Sequence, residues 1–513
     1  MRSLICSNFR VSKWSQCVAN KFLLAAVFVA WCGLASLAGA ATAIPLASFN
    51  TSTVGQQVDS PLVFGNDGNL YGMTHAFGPQ GHGTVFKVDL SNNNALSAVA
   101  VFNNTIGADP YAGLLVDSSG NMFGTTYDGG ASSGGTIFKL DASNNLALTT
   151  LYNFTYNTTA PNEPRGNFSM DSAGNLYSTT VEGGPTAGTS YGTVFKLSAG
   201  SYTYSQVANF TLASGVYPYA GVTLDAAGNI YGTTEAGGAG GQGTLYKIAT
   251  GGSTPVALAT FAGSSNGGRP YGPPIIGPDG NLYGTTNQGG ANNGGVLYRY
   301  NLTTNTLTTL INFNATTGFT PSPDLLMDRA GNIYGTTNFS GPSPADGLAF
   351  KLDATNNYAF TSLATFPGNA SGAAPTNGLV ADASGNLYGA TISGGSGQAG
   401  IVYKIVGAGF VSAGDFNLDG HVNATDIAAM EQALTNLSAF EQSHGNLADW
   451  QVKSIGDVNG DGKFNNADLQ YLLTTLKNGG GSADPVPEPA SWVLAFLALA
   501  IVSGTRFCVR CVR

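Results

Sequence analysis

Residues 415–426 read Asp-Phe-Asn-Leu-Asp-Gly-His-Val-Asn-Ala-Thr-Asp, and residues 457–468 read Asp-Val-Asn-Gly-Asp-Gly-Lys-Phe-Asn-Asn-Ala-Asp. Both put oxygen-bearing side chains at positions 1, 3, 5, 9 and 12 and a glycine at position 6. A hard divalent cation such as calcium takes six to eight oxygens, and the glycine allows the tight turn that brings them together. In the first loop the ligands are Asp415, Asn417, Asp419, Asn423 and Asp426, with the carbonyl of His421 at position 7. In the second they are Asp457, Asn459, Asp461, Asn465 and Asp468, with the carbonyl of Lys463. Position 8 is apolar in both, Val422 and Phe464, as suits a residue facing a small core. The repetition implies two calcium ions and a module that unfolds without them, because ligation and folding are linked. Helices are expected from about Thr425 to Leu434 and from Ala467 to Leu476, with none before either loop.

Other reactive groups are scarce. Charged residues make up only 10% of the chain, and the net charge of −9 disfavours a nucleic-acid partner. Only His75 and His82 fall between residues 44 and 408, so no Ser/His/Asp order stands out. Glycoside cleavage needs two carboxylates about 5–10 Å apart. The candidates Asp128, Glu163, Glu182 and Glu235 are joined by no local motif, so no residue is assigned a catalytic role. All five cysteines, Cys6, Cys17, Cys32, Cys508 and Cys511, lie in the terminal segments, so no disulfide framework supports the body.

The body is a repeat. A Gly-Asn-[Leu/Ile/Met]-[Tyr/Phe] phrase recurs at Asn69, Asn121, Asn175, Asn229, Asn281, Asn332 and Asn386, with spacings of 52, 54, 54, 52, 51 and 54 residues. A period near 50 that is rich in strand formers indicates a propeller. Each unit reads as four strands: A (Leu-x-x-Asp), B (Gly-Asn-Leu-Tyr), C (Gly-Thr-Val-Phe-Lys) and D (Leu-x-x-Phe-Asn). The seventh unit ends after its C strand, Ile401 to Ile405, and a lone D-like strand stands at residues 44–50. That strand is expected to close the ring by pairing with the last C strand, which removes an exposed edge. The turn aspartates, as in Asp171-Ser172-Ala173-Gly174-Asn175, read as structural. So does the cation of every C strand: Lys87, Lys139, Lys196, Lys247, Arg299, Lys351 and Lys404.

Function should sit where the units differ. In an antiparallel meander the B–C and D–A loops share one face. The residues after Thr-Thr vary (His75, Tyr127, Val181, Glu235, Asn287, Asn338, Ile392), and so do the D–A loops: Pro110-Tyr111, Pro164-Arg165, Pro218-Tyr219, Pro270-Tyr271, Pro323-Asp324 and Pro375-Thr376. Variable loops on a constant frame suit binding. Tyrosines with scattered polar groups suit a sugar, which makes Tyr111, Tyr127, Arg165, Tyr219, Glu235 and Tyr271 the ligand-binding candidates.

Three resemblances add to this reading. The phrases Gly-Asn-[Leu/Ile/Met]-[Tyr/Phe]-Gly-Thr-Thr and Gly-Thr-Val-Phe-Lys over residues 62–405 resemble the GloVer tandem repeat of secreted bacterial proteins, which implies fold and location but no chemistry. The duplicated loop-then-helix with Asp at position 12 resembles a type I dockerin over residues 413–478. That implies docking onto a cohesin-like protein, with loop positions 10 and 11, Ala424-Thr425 and Asn466-Ala467, choosing the partner. These pairs differ between the halves, which argues against a symmetric two-way mode. Pro487-Glu488-Pro489, an apolar run from Ala490 to Gly504 and Arg506, Arg510 and Arg513 resemble the PEP-CTERM sorting signal, which implies processing by an exosortase. At the other end, a basic segment, an apolar run from Phe22 to Leu37 and Ala38-Gly39-Ala40 or Ala41-Thr42-Ala43 read as a cleavable leader.

The expected organisation is therefore mainly β: a leader over 1–43, a seven-bladed β-propeller over 44–408, a small α-helical calcium-binding dockerin over 413–478 and a sorting segment over 484–513. The expected role is a secreted, cell-surface-directed binding or scaffolding protein, with extracellular polysaccharide as the propeller's ligand. The rival is a polysaccharide-degrading enzyme, a hydrolase or lyase, carried by its dockerin.

Overall fold

The computed structural model describes residues 42–156, 160–184, 191–339, 347–444 and 447–477. The leader and the Pro487-Glu488-Pro489 segment lie outside them. Among the described residues no helix is long and apolar enough to cross a membrane.

Seven antiparallel sheets, each ordered A-B-C-D, make a seven-bladed propeller. The A strands are only two residues long in most blades, for example Val63–Phe64 and Leu115–Val116. The last blade takes its fourth strand from the N-terminus, where Thr42–Ser48 pairs antiparallel with Ile401–Val406, Ile44 opposite Lys404 and Ser48 opposite Ile401. The closing strand begins at Thr42, two residues ahead of the expected start.

Each word of the repeat has a physical task. The turn aspartate binds its own loop: Asp171 Oδ1 accepts from the Asn175 backbone at 2.9 Å, and its Oδ2 accepts from Asn175 Nδ2 at 2.8 Å and Tyr177 Oη at 3.1 Å. In the first blade the aspartate stands two residues nearer the asparagine, yet Asp67 makes the same bonds to Asn69 and Tyr71. The asparagine Oδ1 then accepts from the C–D hairpin, as Asn121 does from the Ala142 backbone at 3.1 Å. The glycine after the aromatic residue is required by close approach. A Cβ at Gly72 or Gly124 would stand 2.6 or 2.5 Å from the Phe86 or Phe138 ring of the neighbouring strand.

The two threonines divide their work. The second meets the C-strand threonine within the blade, Thr126 with Thr136 at 2.9 Å and Thr180 with Thr193 at 2.8 Å. The first reaches the next blade: Thr179 Oγ1 donates to the Ala220 carbonyl at 2.7 Å and Thr233 Oγ1 to the Gly272 carbonyl at 2.8 Å. The repeated lysine is structural as expected, with Lys87 Nζ 2.9 Å from Asp67 and over the Tyr71 ring.

Blades join through one aromatic contact repeated around the ring. A phenylalanine at the end of each D strand packs on a C-strand ring of the next blade. The pairs are Phe102–Phe138, Phe154–Phe195, Phe210–Tyr246, Phe261–Tyr298, Phe313–Phe350 and Phe366–Tyr403, with centroids 4.6 to 5.6 Å apart. The seventh joint is Phe49 on Phe86, at 5.0 Å.

Four helices follow the propeller: α1 (Thr425–Thr435), α2 (Leu437–Ser443), α3 (Asp449–Gly456) and α4 (Asn466–Lys477). α1 and α4 follow the two loops as expected. The expectation that no helix precedes either loop is corrected, because α3 runs directly into Asp457. Val452 and Ile455 of α3 are buried against Phe416, Met430 and Leu472, and this second-half helix completes the small core.

That core continues into blade six. Ala330 and Val411 belong to it. Gln451 Nε2 donates to the Ala330 carbonyl at 2.6 Å, and Arg329 N donates to the Val411 carbonyl at 3.0 Å. Asp328, the turn aspartate of blade six, is buried there and accepts from Val411 N at 3.2 Å. Tyr334 Oη and Lys351 Nζ both donate to the Gly409 carbonyl, at 2.7 and 3.0 Å.

Candidate functional site

The B–C and D–A loops lie on one face, as the meander requires. D–A residues bridge to B–C residues at Ala108–Asp128, Val216–Ala236, Gly268–Gln288 and Ala373–Ser393. A proline in the D–A loops of blades two to seven sets the approach to the channel. The Cδ atoms of Pro110, Pro164, Pro218 and Pro270 sit 2.5 to 3.0 Å from where a Cβ would stand on Gly83, Gly135, Gly192 and Gly243. Only glycine, at positive φ, leaves room there.

In blade six the proline in that position, against Gly295, is Pro321. This corrects the register read from sequence: the counterpart of Tyr111 is Ser322, not Asp324. The cause is a second proline, Pro323, two residues later.

With the register set, the residue after the proline and its counterpart in blade one line a single cavity of about 370 Å³ at the channel mouth. Blades two to five contribute Tyr111, Arg165, Tyr219 and Tyr271, and the others contribute Ser322, Thr376 and Asp59. One side of the mouth is aromatic and cationic, and the other is small and polar.

The aromatic side is a continuous stack. The His75 and Tyr111 rings stack at 4.5 Å, the Arg165 guanidinium lies 4.2 Å over Tyr111 and 5.0 Å over Tyr219, and Tyr219 meets Tyr271 at 5.5 Å. Of the six ligand-binding candidates, Tyr111, Arg165, Tyr219 and Tyr271 line the cavity. Tyr127 and Glu235 support it from behind. Tyr127 Oη donates to Glu163 at 2.8 Å, Tyr271 Oη donates to Glu235 at 2.7 Å, and Arg269 stands 3.4 Å from the same Glu235 oxygen.

Asn167 escaped the sequence reading, and Asp324 was read in another register. Asn167 and Asp324 occupy the register held by Pro61, Gly113, Gly221, Pro273 and Gly378 in the other blades. They meet across the channel: Asn167 Nδ2 donates to Asp324 at 3.1 Å, and the Gly113 backbone donates to Asn167 Oδ1 at 2.5 Å. Asp324 keeps partial solvent contact through the lumen, yet protein surrounds it on every side. That burial pushes its carboxyl up to about 6, with the Asn167 bond opposing. A polar residue breaking a Gly/Pro register was the available signal.

Four carboxylates near the mouth have close partners. Asp59 lies 2.6 Å from His75 Nδ1, Glu163 accepts from Tyr127, Glu235 from Tyr271, and Asp324 from Asn167. Glu163 is raised above the usual carboxylate range, first by burial, with Glu182 and Asp128 adding to it.

The two dockerin loops fold alike around their first and last aspartates. Asp426 accepts from the Asn417 and Asn423 backbones at 3.1 and 2.8 Å, and Asp468 from those of Asn459 and Asn465 at 3.3 and 2.9 Å. Among the described residues no three His, Cys, Asp or Glu side chains form a metal cluster; the loops mix Asp, Asn and backbone carbonyls. Two features fit a cation. The buried Asp457 Oδ1 has no hydrogen-bond donor. Burial, then the charges of Asp426 and Asp419, push Asp415 up to about 8. Ala424 and Thr425 at the start of α1, and Asn466 and Ala467 at the start of α4, are exposed.

The model of the Gloeobacter/Verrucomicrobia repeat matches residues 35–225 and again 169–403, and the chain belongs to that family. The dockerin type I domain model matches residues 413–477. No curated protein matches the chain. Solved structures with similar arrangements include an extracellular domain assigned to a one-component system of B. thetaiotaomicron, at 10% identity and TM-score 0.45, covering 70% of this chain and 40% of that one. TolB from Acinetobacter baumannii matches at 16% identity and TM-score 0.33, covering 50% of this chain and 54% of its own. A gluconolactonase from Xanthomonas campestris matches at 12% identity and TM-score 0.36, covering 72% and 92%. The chain thus spans about half or less of the first two.

Proposed function

We propose that this protein is a secreted, cell-surface-directed binding protein whose propeller holds an extracellular polysaccharide at the channel mouth. Its dockerin would bind two calcium ions through the loops at 415–426 and 457–468 and dock onto a cohesin-like partner. The observation that carries the reading is the convergence of the seven variable D–A positions on one cavity, with three tyrosine rings and the Arg165 guanidinium on four consecutive blades. Tyr111 and Tyr219 keep hydroxyls that bond to no described residue, which suits sugar hydroxyls. Phe77, Tyr156, Leu212 and Phe339 are exposed at loops of the same face, where they offer apolar surface.

Binding is preferred over hydrolysis because tyrosine rings and the Arg165 guanidinium line the cavity, whereas the candidate carboxylates Asp128, Glu163, Glu182 and Glu235 do not. The leader and the Pro487-Glu488-Pro489 motif, processed by an exosortase, would take the protein to the outer envelope. The test is a glycan array probed with the wild type and with Tyr111→Ala, Tyr219→Ala and Tyr271→Ala combined. The expected result is glycan binding by the wild type and its loss in the triple variant. Equal binding by both would refute the site.

A further inference from the structure

Arg165 differs from Arg269, the other arginine of the loop face, which has Glu235 within 3.4 Å. Arg165 makes no hydrogen bond or ion pair with any described residue, and its contacts are ring faces: Tyr111 at 4.2 Å, Tyr219 at 5.0 Å and Tyr127 at 5.7 Å. Its carboxylate neighbour in sequence, Glu163, is taken by Tyr127.

A guanidinium held by its faces keeps five N–H donors free along its edges. The backbone beneath it is fixed on both sides. Pro164 pairs with Thr180, and Asn167 is bonded to Gly113 and Asp324. The Tyr111 and Tyr219 hydroxyls beside it are also without protein partners. The mouth therefore presents an excess of donors around one half-buried positive charge. Such a set is complementary to an oxyanion, which a guanidinium binds through two parallel hydrogen bonds.

On the reading of the mouth as a sugar site, we infer that Arg165 is the specificity residue for an acidic sugar: it receives the carboxylate of a uronic-acid unit, while the tyrosines receive the ring and its hydroxyls.

The test uses the full chain with calcium present and two probes, an oligoglucuronate and its carboxyl-reduced neutral counterpart, titrated calorimetrically. The wild type should bind the acid form tighter than the neutral form by about 10- to 100-fold, as expected for a charge-assisted pair. Added salt should shrink the difference. Arg165→Gln should abolish the preference, so that the acid and neutral probes bind alike, and Arg165→Lys should fall between. Equal affinity of the wild type for the two probes, or an unchanged preference in Arg165→Gln, would overturn the inference and leave the sugar site standing. Binding of neither probe by a folded wild type would sink the inference together with that site.

Discussion

The ring-closing joint offers a sharp test of the architecture. Phe49 is 1% exposed and packs edge-on against Phe86, where the first and last blades meet in one core with Val58, Leu70, Tyr388 and Val402. Phe154→Ala in blade two is the reference, since Phe154 makes the equivalent contact with Phe195. A buried Phe→Ala change costs about 3–5 kcal/mol in lost transfer and cavity. That is a large share of the roughly 5–15 kcal/mol that holds a domain together. At about 2 °C per kcal/mol for a domain of this size, Tm should fall by about 6–10 °C. Ile44→Ala, in the strand just before Phe49 but 42% exposed, should shift Tm by about 1 °C or less. Calorimetry of the three variants in calcium decides the matter. A closed ring requires Phe49→Ala to match Phe154→Ala; a Phe49→Ala melt within 2 °C of wild type, or equal to that of Ile44→Ala, would refute closure by the N-terminal strand.

Asp324 should make stability depend on pH. Its folded carboxyl is raised to about 6, above the unfolded value, so the folded state binds more protons between about pH 4 and 6. Its contribution is therefore full below about pH 4 and is lost as pH rises to 6. Asp324→Asn keeps an acceptor for Asn167, so it should flatten that slope and gain at most about 3 kcal/mol relative to wild type at pH 7; parallel denaturation curves of the two from pH 4 to 7 would contradict the buried-carboxyl account. Calcium removal should melt α1 and α4 and free α3 from blade six, where the Trp450 ring lies over Gly331. Chelator should then lower the helical circular dichroism and red-shift Trp450 emission while the strand signal persists; unchanged spectra would count against both calcium binding and the latch.

Much of the architecture was legible because it is local and repeated. The spacing of the seven asparagines, the missing last D strand and the spare strand at residues 44–50 were enough to infer seven blades and their closure. Oxygen-bearing side chains at fixed intervals marked the dockerin loops at 415–426 and 457–468 for the same reason, since their pattern lies within one short segment. Helix α3 was missed because its apolar residues show their pattern only against Phe416, Met430 and Leu472. The blade-six register was misread because Pro321 and Pro323 look alike until one is seen filling the space above Gly295.

By itself, then, the sequence determined what repeats: the blade, the turn chemistry of each word, the paired dockerin loops and which loop positions vary. Only the tertiary structure decided what meets. It seated Arg165 between Tyr111 and Tyr219, bonded Asn167 to Asp324 across the channel, and fastened the dockerin to blade six through Asp328, Ala330 and Gln451. The physical reason is distance along the chain. These partners lie about 50 to 160 residues apart, so no local periodicity encodes them, and they meet only when the ring brings every variable position to one axis.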